Sequence, residues 1–553
     1  MRDLHIVSGS KFAGRYFQTI RHLRPVQVLG RLKLWLPTFG PSMESAPRLR
    51  SRPVNWIVGP RREASMLSPT RFRFLNREHE VRSEADWAAP DREALWNYNL
   101  HYFDDLNAAG AEDRSAWHRQ LIEWWIEENP PVRKPGWDPF PTSLRLVNWA
   151  KWLWRGNAPV DGMVQSMAVQ ARWLKRRIEY HLLGNHVLAD AKGLMFAGLV
   201  FEGDESEQWL RAGWQLMQEQ LSEQVLVDGG HFELSPMYHA LMVEDLLDLI
   251  NAGAGVLGDR ILSELRQYAG RALGWLETLA DEKGRVPLLN DATGGVAAEP
   301  RELHEYADRL RVKPDFSQIE AVEFDHGWRG RCCSGYWVLE KGPFRLWFDT
   351  APIGPDYQPG HAHGDMLSLL MNFSGEQVLT DTGVSTYQAG KQRNYERSVA
   401  AHNTVRIDGL DQAEFWGAFR VARRGHPMGF RLLRDGIECG HDGFHVQRRG
   451  LFHSRRLELR SDGFAVWDTV IGPGEHSFEA FWHFAPGVKV ERFRTGQFNV
   501  SGKLGIAVEG GECDVGESCY CPEYGVRTGR FCLKLRGSGI GKTEILFRCT
   551  YSF

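Results

Sequence analysis

The spacing of apolar residues changes once along the chain. From about residue 85 to residue 312, apolar side chains recur at steps of three and four, as Leu265, Ala269, Ala272 and Leu276 do, which is typical of one buried helix face. Such segments lie near residues 114–128, 142–156, 162–180, 186–202, 206–225 and 261–279, and after Pro236. Many helices joined by short turns favour stacked antiparallel hairpins.

After about residue 328 the period becomes two. Phe344, Leu346 and Phe348 occupy alternate positions after the turn signal Lys341-Gly342, as expected for a strand with one buried face. A run of helices followed by a run of strands predicts separate all-α and all-β domains rather than a mixed sheet. We therefore divide the chain into an N-terminal segment that docks on the helical domain (1–84), the helical domain (85–320) and the strand domain (321–553).

Composition narrows the class of protein. The 553 residues carry 67 Lys and Arg against 70 Asp and Glu, for a formal charge of −3, which argues against a nucleic-acid binder with a broad basic surface. With 42% hydrophobic and 25% charged residues, the chain has the composition of a globular protein, and no apolar run is long enough to span a membrane. The eight cysteines include no Cys-x-x-Cys pair, which favours buried free thiols, although Cys513, Cys519 and Cys521 could pair.

The N-terminal stretch allows two interpretations. Residues 12–36 interleave cations such as Arg15 and Arg21 with apolar residues such as Phe17, a mixture found in helices that lie on membrane surfaces. Pro25 interrupts the stretch, and we therefore favour an ordinary docking segment. The first residues lack the apolar core of a signal peptide, which predicts a cytoplasmic protein, with a periplasmic or secreted location left open.

Histidines and a carboxylate on neighbouring strand-like runs suggest a metal site with two histidine ligands and one carboxylate ligand. In His361-Ala-His363 the alternate positions of a strand point to one side, and Asp381 and His402 border neighbouring strand-like runs. Such a set is suited to a divalent ion such as zinc. The alternative is that these histidines only form hydrogen bonds within the strand domain.

Six blocks along the chain resemble the heparinase II/III-type polysaccharide lyases, which include glycosaminoglycan lyases and related alginate lyases. The blocks are Asn185-His186, Phe232-Glu233-x-Ser235-Pro236-x-Tyr238-His239, His361-Ala-His363-x-Asp365, Asp381-x-Gly383, Asn394-Tyr395-x-Arg397-Ser398 and His402-Asn403-Thr404. They occur in the family's order and cover roughly residues 90–415. The resemblance implies an N-terminal incomplete (α/α) toroid followed by a C-terminal antiparallel β-sandwich, in agreement with the change of period.

The resemblance also implies β-elimination at a uronic acid. The C5 proton becomes acidic only when the neighbouring carboxylate is neutralised, a role expected of Asn185 with help from His186. A base must take that proton and an acid must protonate the O4 leaving group. Tyr238 fits the base and acid role, and the family pattern makes His361 a second acid/base group or a contact of the carboxylate.

The family pattern assigns a metal site, and other residues are candidates for substrate binding. His363, Asp381 and His402 match metal ligands, so we expect one mainly structural divalent ion, zinc first and manganese or calcium as alternatives. Further substrate-binding candidates are His181, Glu233, Tyr395, Arg397, Arg145 and Trp137. Arg145 and Trp137 stand in aromatic and polar stretches that suit a sugar-binding cleft and equally suit packing between helices.

These residues predict a lyase that acts on an acidic polysaccharide. Glycosaminoglycans such as hyaluronan, chondroitin sulfate and heparin or heparan sulfate come first, followed by alginate or a bacterial exopolysaccharide. A toroidal glycoside hydrolase is the next alternative, but it needs two carboxylates across the scissile bond, and no spacing singles out a pair among Asp104, Asp138, Glu233 and Asp291. A non-catalytic polysaccharide-binding protein is the last alternative.

Overall fold

The computed structural model describes residues 9–36, 39–53 and 55–551, with side chains described from residue 13 onward. The first eight residues, on which the argument about a signal peptide partly depends, lie outside these ranges. The cellular location therefore stays a prediction.

Helices dominate the chain up to Arg309. They are α1 (Gly9–Ile20), α2 (Pro25–Lys33), α3 (Ala94–Leu100), α4 (Ser115–Glu128), α5 (Pro139–Trp154), α6 (Met163–Arg176), α7 (Asn185–Val200), α8 (Asp204–Gln224), α9 (Pro236–Ala252), α10 (Asp259–Leu279), α11 (Pro300–Arg309) and, later in the chain, α12 (Lys391–Glu396). Proline opens α5, α9 and α11, where its fixed φ suits a first helical residue and its missing N–H costs no hydrogen bond. These bounds confirm the predicted helical segments to within a few residues.

Helix α7 occupies the centre of the helical domain. Every residue from 187 to 200 is buried, and the helix packs against α5, α8 and α9. Glycines allow the close approach, because a Cβ added at Gly198 would lie 2.7 Å from the Leu210 side chain on α8. The surrounding helices form the predicted incomplete (α/α) toroid, and α10 buries Leu265, Ala269 and Leu276 as the periodicity indicates.

Antiparallel strands fill the C-terminal half. A small sheet in the N-terminal segment consists of β1 (Met66–Ser68), β2 (Arg71–Phe74) and β3 (Arg77–Glu80). The strands of the C-terminal half are β4 (Glu320–Glu323), β5 (Arg329–Cys333), β6 (Tyr336–Lys341), β7 (Phe344–Asp349), β8 (Leu369–Phe373), β9 (Glu376–Leu379), β10 (Val405–Ile407), β11 (Phe415–Trp416), β12 (Arg420–Val421), β13 (Pro427–Leu433), β14 (Gly436–His441), β15 (Phe452–Leu459), β16 (Gly463–His483), β17 (Val490–Arg494), β18 (Gln497–Val500), β19 (Leu504–Glu509), β20 (Glu512–Tyr520) and β21 (Thr528–Tyr551). Strands β4–β9 form one sheet in chain order, and a larger sheet runs β13-β14-β15-β16-β21-β19-β18-β17, with β10 on β16 and β20 on β21.

The two large sheets pack face to face as the predicted β-sandwich. Their shared core joins Leu339 and Leu346 of the first sheet to Val466 and Phe547 of the second. The alternation read from the sequence therefore buries one face of each sheet. The eight cysteines are free in the structure, as predicted.

The N-terminal segment lies against both domains. The buried side chain of Gln27 donates to the carbonyl of Leu182 in the helical domain and to that of Tyr357 in the sandwich. The gap between the last toroid helix and β4 falls at residues 310–319, whereas the two predicted domain boundaries themselves stay predictions. Among the described residues, no helix is long and apolar enough to cross a membrane.

Candidate active site

Asn185 and Glu233 meet at the start of α7. Asn185 is the first residue of that helix, after Gly184, which has a φ of +60°. Its backbone N–H donates to Glu233 Oε1 at 3.0 Å, and its side-chain Nδ2 donates to both carboxylate oxygens. A Cβ at position 184 would lie 2.3 Å from Glu233 Oε1, so only glycine permits this approach. Asn185 therefore does not cap the helix with its side chain, and it is oriented toward the domain interface by Glu233.

Tyr238 and His361 stack on each other between the two domains. Tyr238 lies in the first turn of α9, and its ring centroid is 4.1 Å from that of His361, which the sandwich contributes. The Tyr238 hydroxyl hydrogen-bonds the Tyr387 hydroxyl at 3.1 Å. Burial, together with the nearby charges of Asp291 and Glu233, raises the pKa of Tyr238, so the phenol is protonated in the free protein.

Asp291 fixes the orientation of His361. Its Oδ2 accepts from His361 Nδ1 at 2.9 Å, and Arg393 donates to both of its oxygens from a fully buried position. Burial alone favours the neutral acid, but the Arg393 charge and the histidine hydrogen bonds outweigh it and hold the pKa of Asp291 well below its usual range. Because Nδ1 carries the proton that Asp291 accepts, a neutral His361 presents a lone pair at Nε2. That atom lies 3.3 Å from Asn185 Nδ2.

Asp291, Arg393 and Tyr387 were not predicted as parts of this site. Asp291 entered the sequence analysis only as a possible hydrolase carboxylate, whereas here it accepts hydrogen bonds from two histidines and an arginine. One signal was present. Asp291 follows the apolar run Pro287-Leu288-Leu289 and precedes Gly294-Gly295, a pattern typical of a chain that turns at a site.

His186 lies at the solvent side of the group. Its side chain is 29% exposed, packs on Phe140, and bonds Glu179 Oε2 through Nδ1 at 2.8 Å. Burial lowers the pKa of His186, but the Glu179 carboxylate outweighs it and raises the pKa above its ordinary value. His181 lies five residues before His186 in the sequence and packs against Gly30 of α2. Burial there lowers the pKa of the His181 imidazole.

Arg397 and Tyr395 support the site from behind. The buried Arg397 donates to the carbonyl of Ala362, between His361 and His363, and to that of Ala418. Burial and the neighbouring Arg393 lower the pKa of Arg397 to about 9. Tyr395 is near Thr382 and Arg530 instead of Tyr238. The structure therefore gives Arg397 a positioning role where the sequence analysis expected contact with substrate.

Arg145 and Trp137 lie in the toroid core, which corrects their predicted role in substrate binding. Arg145 is fully buried, donates to Gln170 and the His101 carbonyl, and stacks on Trp125 at 3.9 Å. Trp137 is also buried, with its indole N–H donated to the Asn129 carbonyl. Both side chains are enclosed by protein, so neither is accessible to a ligand.

The three predicted metal ligands converge in one buried cluster. The ring centroids of His363 and His402 are 5.3 Å apart, and His402 Nδ1 bonds Asp381 Oδ2 at 2.7 Å. His363 Nδ1 and His402 Nε2 are buried without a hydrogen-bond partner among the described residues. Within the same residues, no group of three His, Cys, Asp or Glu side chains is arranged to hold a metal ion. Two nitrogen atoms of the cluster are thus available as metal ligands. Asp381, in contrast, is hydrogen-bonded to His402 and to the Gly383 N–H.

The side chains that meet at the domain interface can together carry out proton transfer. An amide donor, a protonated phenol and an imidazole with a fixed tautomer lie side by side, and an ionised Asp291 stands behind the imidazole. Such a set can stabilise a carboxylate, remove a proton from carbon and return one to oxygen.

Comparison with known families matches most of the chain. A model described as heparinase II/III N-terminus matches residues 92–310, and a model described as heparinase II/III-like, C-terminal matches residues 333–545. The first covers the helices from α3 to α11 and the second covers most of the sandwich. Both matched regions contribute to the site, through Asn185 and Tyr238 on one side and His361 on the other.

Individual relatives are distant. A heparin-sulfate lyase of Bacteroides stercoris is 23% identical over 394 residues, 59% of this chain and 56% of that protein. A heparin-sulfate lyase of Pedobacter heparinus is 26% identical over 243 residues, 41% of this chain and 36% of that protein. The chain spans about half or less of the length of these curated relatives. A crystal structure of heparinase III has a TM-score of 0.64 at 17% identity, covering 86% of this chain and 80% of that one, a likeness that shows the shared fold.

Proposed function

Since the chain belongs to the heparinase II/III family, we propose that it is a polysaccharide lyase that cleaves uronate-containing chains by β-elimination. Glycosaminoglycans such as hyaluronan, chondroitin sulfate and heparan sulfate are the first candidates, a class supported by the names of the heparin-sulfate lyases it resembles. One observation carries the proposal. The phenol of Tyr238, the imidazole of His361 and the amide of Asn185 lie in direct contact across the domain interface.

Asn185 and His186 neutralise the substrate carboxylate in this proposal. The Nδ2 of Asn185 has two hydrogens, of which Glu233 accepts one and the other points toward His361 Nε2. A uronate carboxylate beside His361 accepts that second hydrogen. The His186 imidazole, whose pKa Glu179 raises, adds a positive charge on the open side when it is protonated. Together they stabilise the negative charge that develops when the C5 proton leaves.

His361 and Tyr238 divide the proton transfer between them. In the neutral imidazole of His361, Asp291 accepts the proton on Nδ1, so the lone pair on Nε2 serves as the base. Tyr238, whose pKa is raised, retains its proton and donates it to the O4 leaving group. For a uronate of the opposite C5 configuration, Tyr238 serves on both sides, provided that bound substrate and neighbouring cations lower its pKa.

A substrate screen tests the proposed activity. The purified chain is incubated with hyaluronan, chondroitin sulfate, heparan sulfate and alginate, and the ultraviolet absorbance of the 4,5-unsaturated uronate product is followed. We expect product from at least one glycosaminoglycan. Reducing ends without that absorbance would indicate the hydrolase instead, although Asp291 and Glu233 are both occupied by hydrogen bonds to the protein. Binding without any cleavage would indicate a polysaccharide-binding protein.

Substrate affinity is expected to fall as the pH rises through the pKa of His186. Since Glu179 raises that pKa, the imidazolium is present below it and is lost above it, beyond the ordinary value of about 6.5. KM for the polymer should increase about two- to fivefold over that range, since one exposed ion pair contributes up to about 1 kcal/mol. Steady-state kinetics between pH 6 and 9 measure this.

Two variants separate His186 from other titrating groups. His186→Gln should have a high KM that no longer changes in that range. His181→Gln should keep the change, because burial lowers the pKa of His181 and leaves it neutral there. A KM increase retained in His186→Gln would contradict the assignment.

We further propose that His363 and His402 bind one divalent ion, zinc first, with Asp381 as the third predicted ligand. The support is the pair of buried nitrogens, His363 Nδ1 and His402 Nε2, without hydrogen-bond partners among the residues described. A bound cation would supply positive charge and would connect the strands that carry its ligands. Because His361 is two positions before His363, the same connection would hold His361 in place. Asp381 then either binds the ion directly or orients His402 through Nδ1, as outer carboxylates commonly do.

Metal analysis tests this proposal without reference to activity. We expect about one zinc, manganese or calcium ion per chain by elemental analysis after dialysis, since two His and one carboxylate make a typical site for such ions. His402→Ala should lose most of it, and a chelator should lower the melting temperature of the wild type but not of the variant. His445→Ala, at a half-buried loop histidine outside the cluster, serves as the matched control. A chain that contains no metal and whose melting temperature does not change with chelator would contradict the proposal. The cluster would then serve only to form hydrogen bonds within the sandwich.

A further inference from the structure

Helices α1 and α2 turn their polar sides toward the protein. On α1, Arg15 Nε donates to Glu414 at 2.9 Å, and the Thr19 hydroxyl accepts from the Trp416 indole at 3.0 Å. On α2, Gln27 is the buried residue, and its amide is hydrogen-bonded to backbone carbonyls of both domains. A surface helix normally does the opposite and buries its apolar side.

The apolar side chains of the same helices face outward. Trp35 is 84% and Phe17 is 60% exposed, and about half of each of Ile20, Leu29 and Leu32 is exposed. Phe17 and Ile20 are three positions apart on α1, and Leu29, Leu32 and Trp35 continue at steps of three along α2 and its end, so each set shares a helix face. These five residues form what we call the outward stripe. Monomeric proteins rarely expose a contiguous apolar surface of this kind without a partner.

Positive charge surrounds the outward stripe. Residues 13–36 contain five Arg and Lys and no Asp or Glu. Arg15 and Arg24 pair with Glu414 and Glu223 of the protein body, whereas Arg21, Arg31 and Lys33 are exposed beside the stripe. Burial and the adjacent charge of Arg420 lower the pKa of Arg31, so an anionic group at this place would relieve repulsion between two cations.

We propose that the outward stripe binds an anionic membrane surface. The two helices lie in the plane of the interface, with the stripe at the boundary of the acyl chains and with Arg21, Arg31 and Lys33 among the lipid phosphates. Apolar residues flanked by cations, with an aromatic side chain such as Trp35 at the edge, match this environment. A membrane supplies both the apolar phase and the negative charge, which complements a segment without carboxylates. This inference is independent of the proposed lyase activity.

The position of α2 gives the attachment a consequence for the active site. Gln27 joins α2 to Leu182, three residues before Asn185, and to Tyr357, four residues before His361. The loops that carry the two halves of the site therefore lie directly behind the proposed membrane-binding helix. Attachment through α2 holds the opening between them beside the membrane surface, where a polymer emerging from or anchored in that surface is encountered.

Vesicle binding by the full chain tests the proposal. Co-sedimentation is measured with vesicles of phosphatidylcholine alone and of phosphatidylcholine with phosphatidylglycerol. We expect at least about tenfold stronger partition onto the anionic vesicles, which decreases with salt, since surface cations each add to binding of acidic lipid. Leu29→Ser/Trp35→Ser should reduce that partition about tenfold or more by removing apolar insertion. Arg21→Gln/Lys33→Gln should bring anionic and neutral vesicles to the same low level.

A matched control and a measurement of mass complete the test. Phe493→Ser/Ile540→Ser removes one aromatic and one aliphatic side chain that are similarly exposed on the sandwich, and it should bind vesicles as the wild type does. Circular dichroism verifies that each variant is folded. Equal binding of wild type and Leu29→Ser/Trp35→Ser would overturn the proposal. So would a wild-type dimer, seen by light scattering, that this variant converts to monomers, because a second copy would then be the occupant.

Discussion

Replacing Tyr238 by phenylalanine is expected to lower kcat for the elimination about 10³-fold, the usual contribution of one general acid. The substitution removes only the hydroxyl, whose hydrogen-bond partner is Tyr387, and leaves the ring stacked on His361. Protein stability and polysaccharide affinity should therefore change little. The rate of formation of the unsaturated product and calorimetric binding of an oligosaccharide measure the two effects separately.

The neighbouring tyrosine provides the control for this prediction. Tyr387→Phe breaks the same hydrogen bond from the other side but leaves the Tyr238 hydroxyl in place, so kcat should fall by about tenfold or less, the value of one neutral hydrogen bond. If Tyr238→Phe retained a tenth of the wild-type kcat, the assignment of Tyr238 as the acid would be wrong. Failure of both variants and the wild type to produce any unsaturated product would instead refute the proposed function.

The second large effect concerns stability. Asp291→Asn is expected to lower the free energy of unfolding by about 3–5 kcal/mol, the typical cost of removing one partner of a buried ion pair. The reason is that Arg393 is fully buried and directs two of its nitrogens at Asp291. Without the carboxylate, the guanidinium keeps its charge in an environment that does not solvate it. Urea unfolding followed by circular dichroism measures the loss.

Two further variants distinguish a buried pair from a general loss of charge. Asp308→Asn removes the carboxylate of an exposed pair with Lys313 at 2.8 Å and should change the free energy of unfolding far less than Asp291→Asn does, because water solvates both partners. Asp291→Asn/Arg393→Gln should be more stable than Asp291→Asn alone, because no unpaired charge remains. A loss below about 1 kcal/mol in Asp291→Asn would show that the pair is not needed for folding.

The fold could be predicted because burial leaves a periodic record in the sequence. The residues that α10 buries recur at helical spacing, and the change of period near residue 328 falls between the first two sandwich strands, β4 and β5. The outward direction of α1 and α2 could not be predicted, since an apolar helix face in a sequence normally indicates contact with the core. Only the structure shows that the polar face has been buried instead.

The site was predicted unevenly for a physical reason. Asn185, Tyr238 and His361 entered through resemblance, and the structure brings them together. Asp291 and Arg393 are 102 positions apart in the chain, and no local spacing reveals a pair formed by tertiary contact. Arg145 and Trp137 were assigned to the cleft from residue type alone. Arginine and tryptophan serve equally well as buried donors in a core, and burial depends on neighbours that the sequence does not identify.

The contacts of the N-terminal segment restrict how the two domains can move. Gln27 joins a carbonyl of each domain on one side, and on the turn between β2 and β3, Asn76 donates to Glu523 and to the Tyr524 carbonyl of the sandwich. These contacts add to those that the two domains make directly, such as the hydrogen bond from the Tyr336 hydroxyl to the Leu234 carbonyl. A relative motion of the domains must therefore also break contacts of residues that lie outside both family-matched regions.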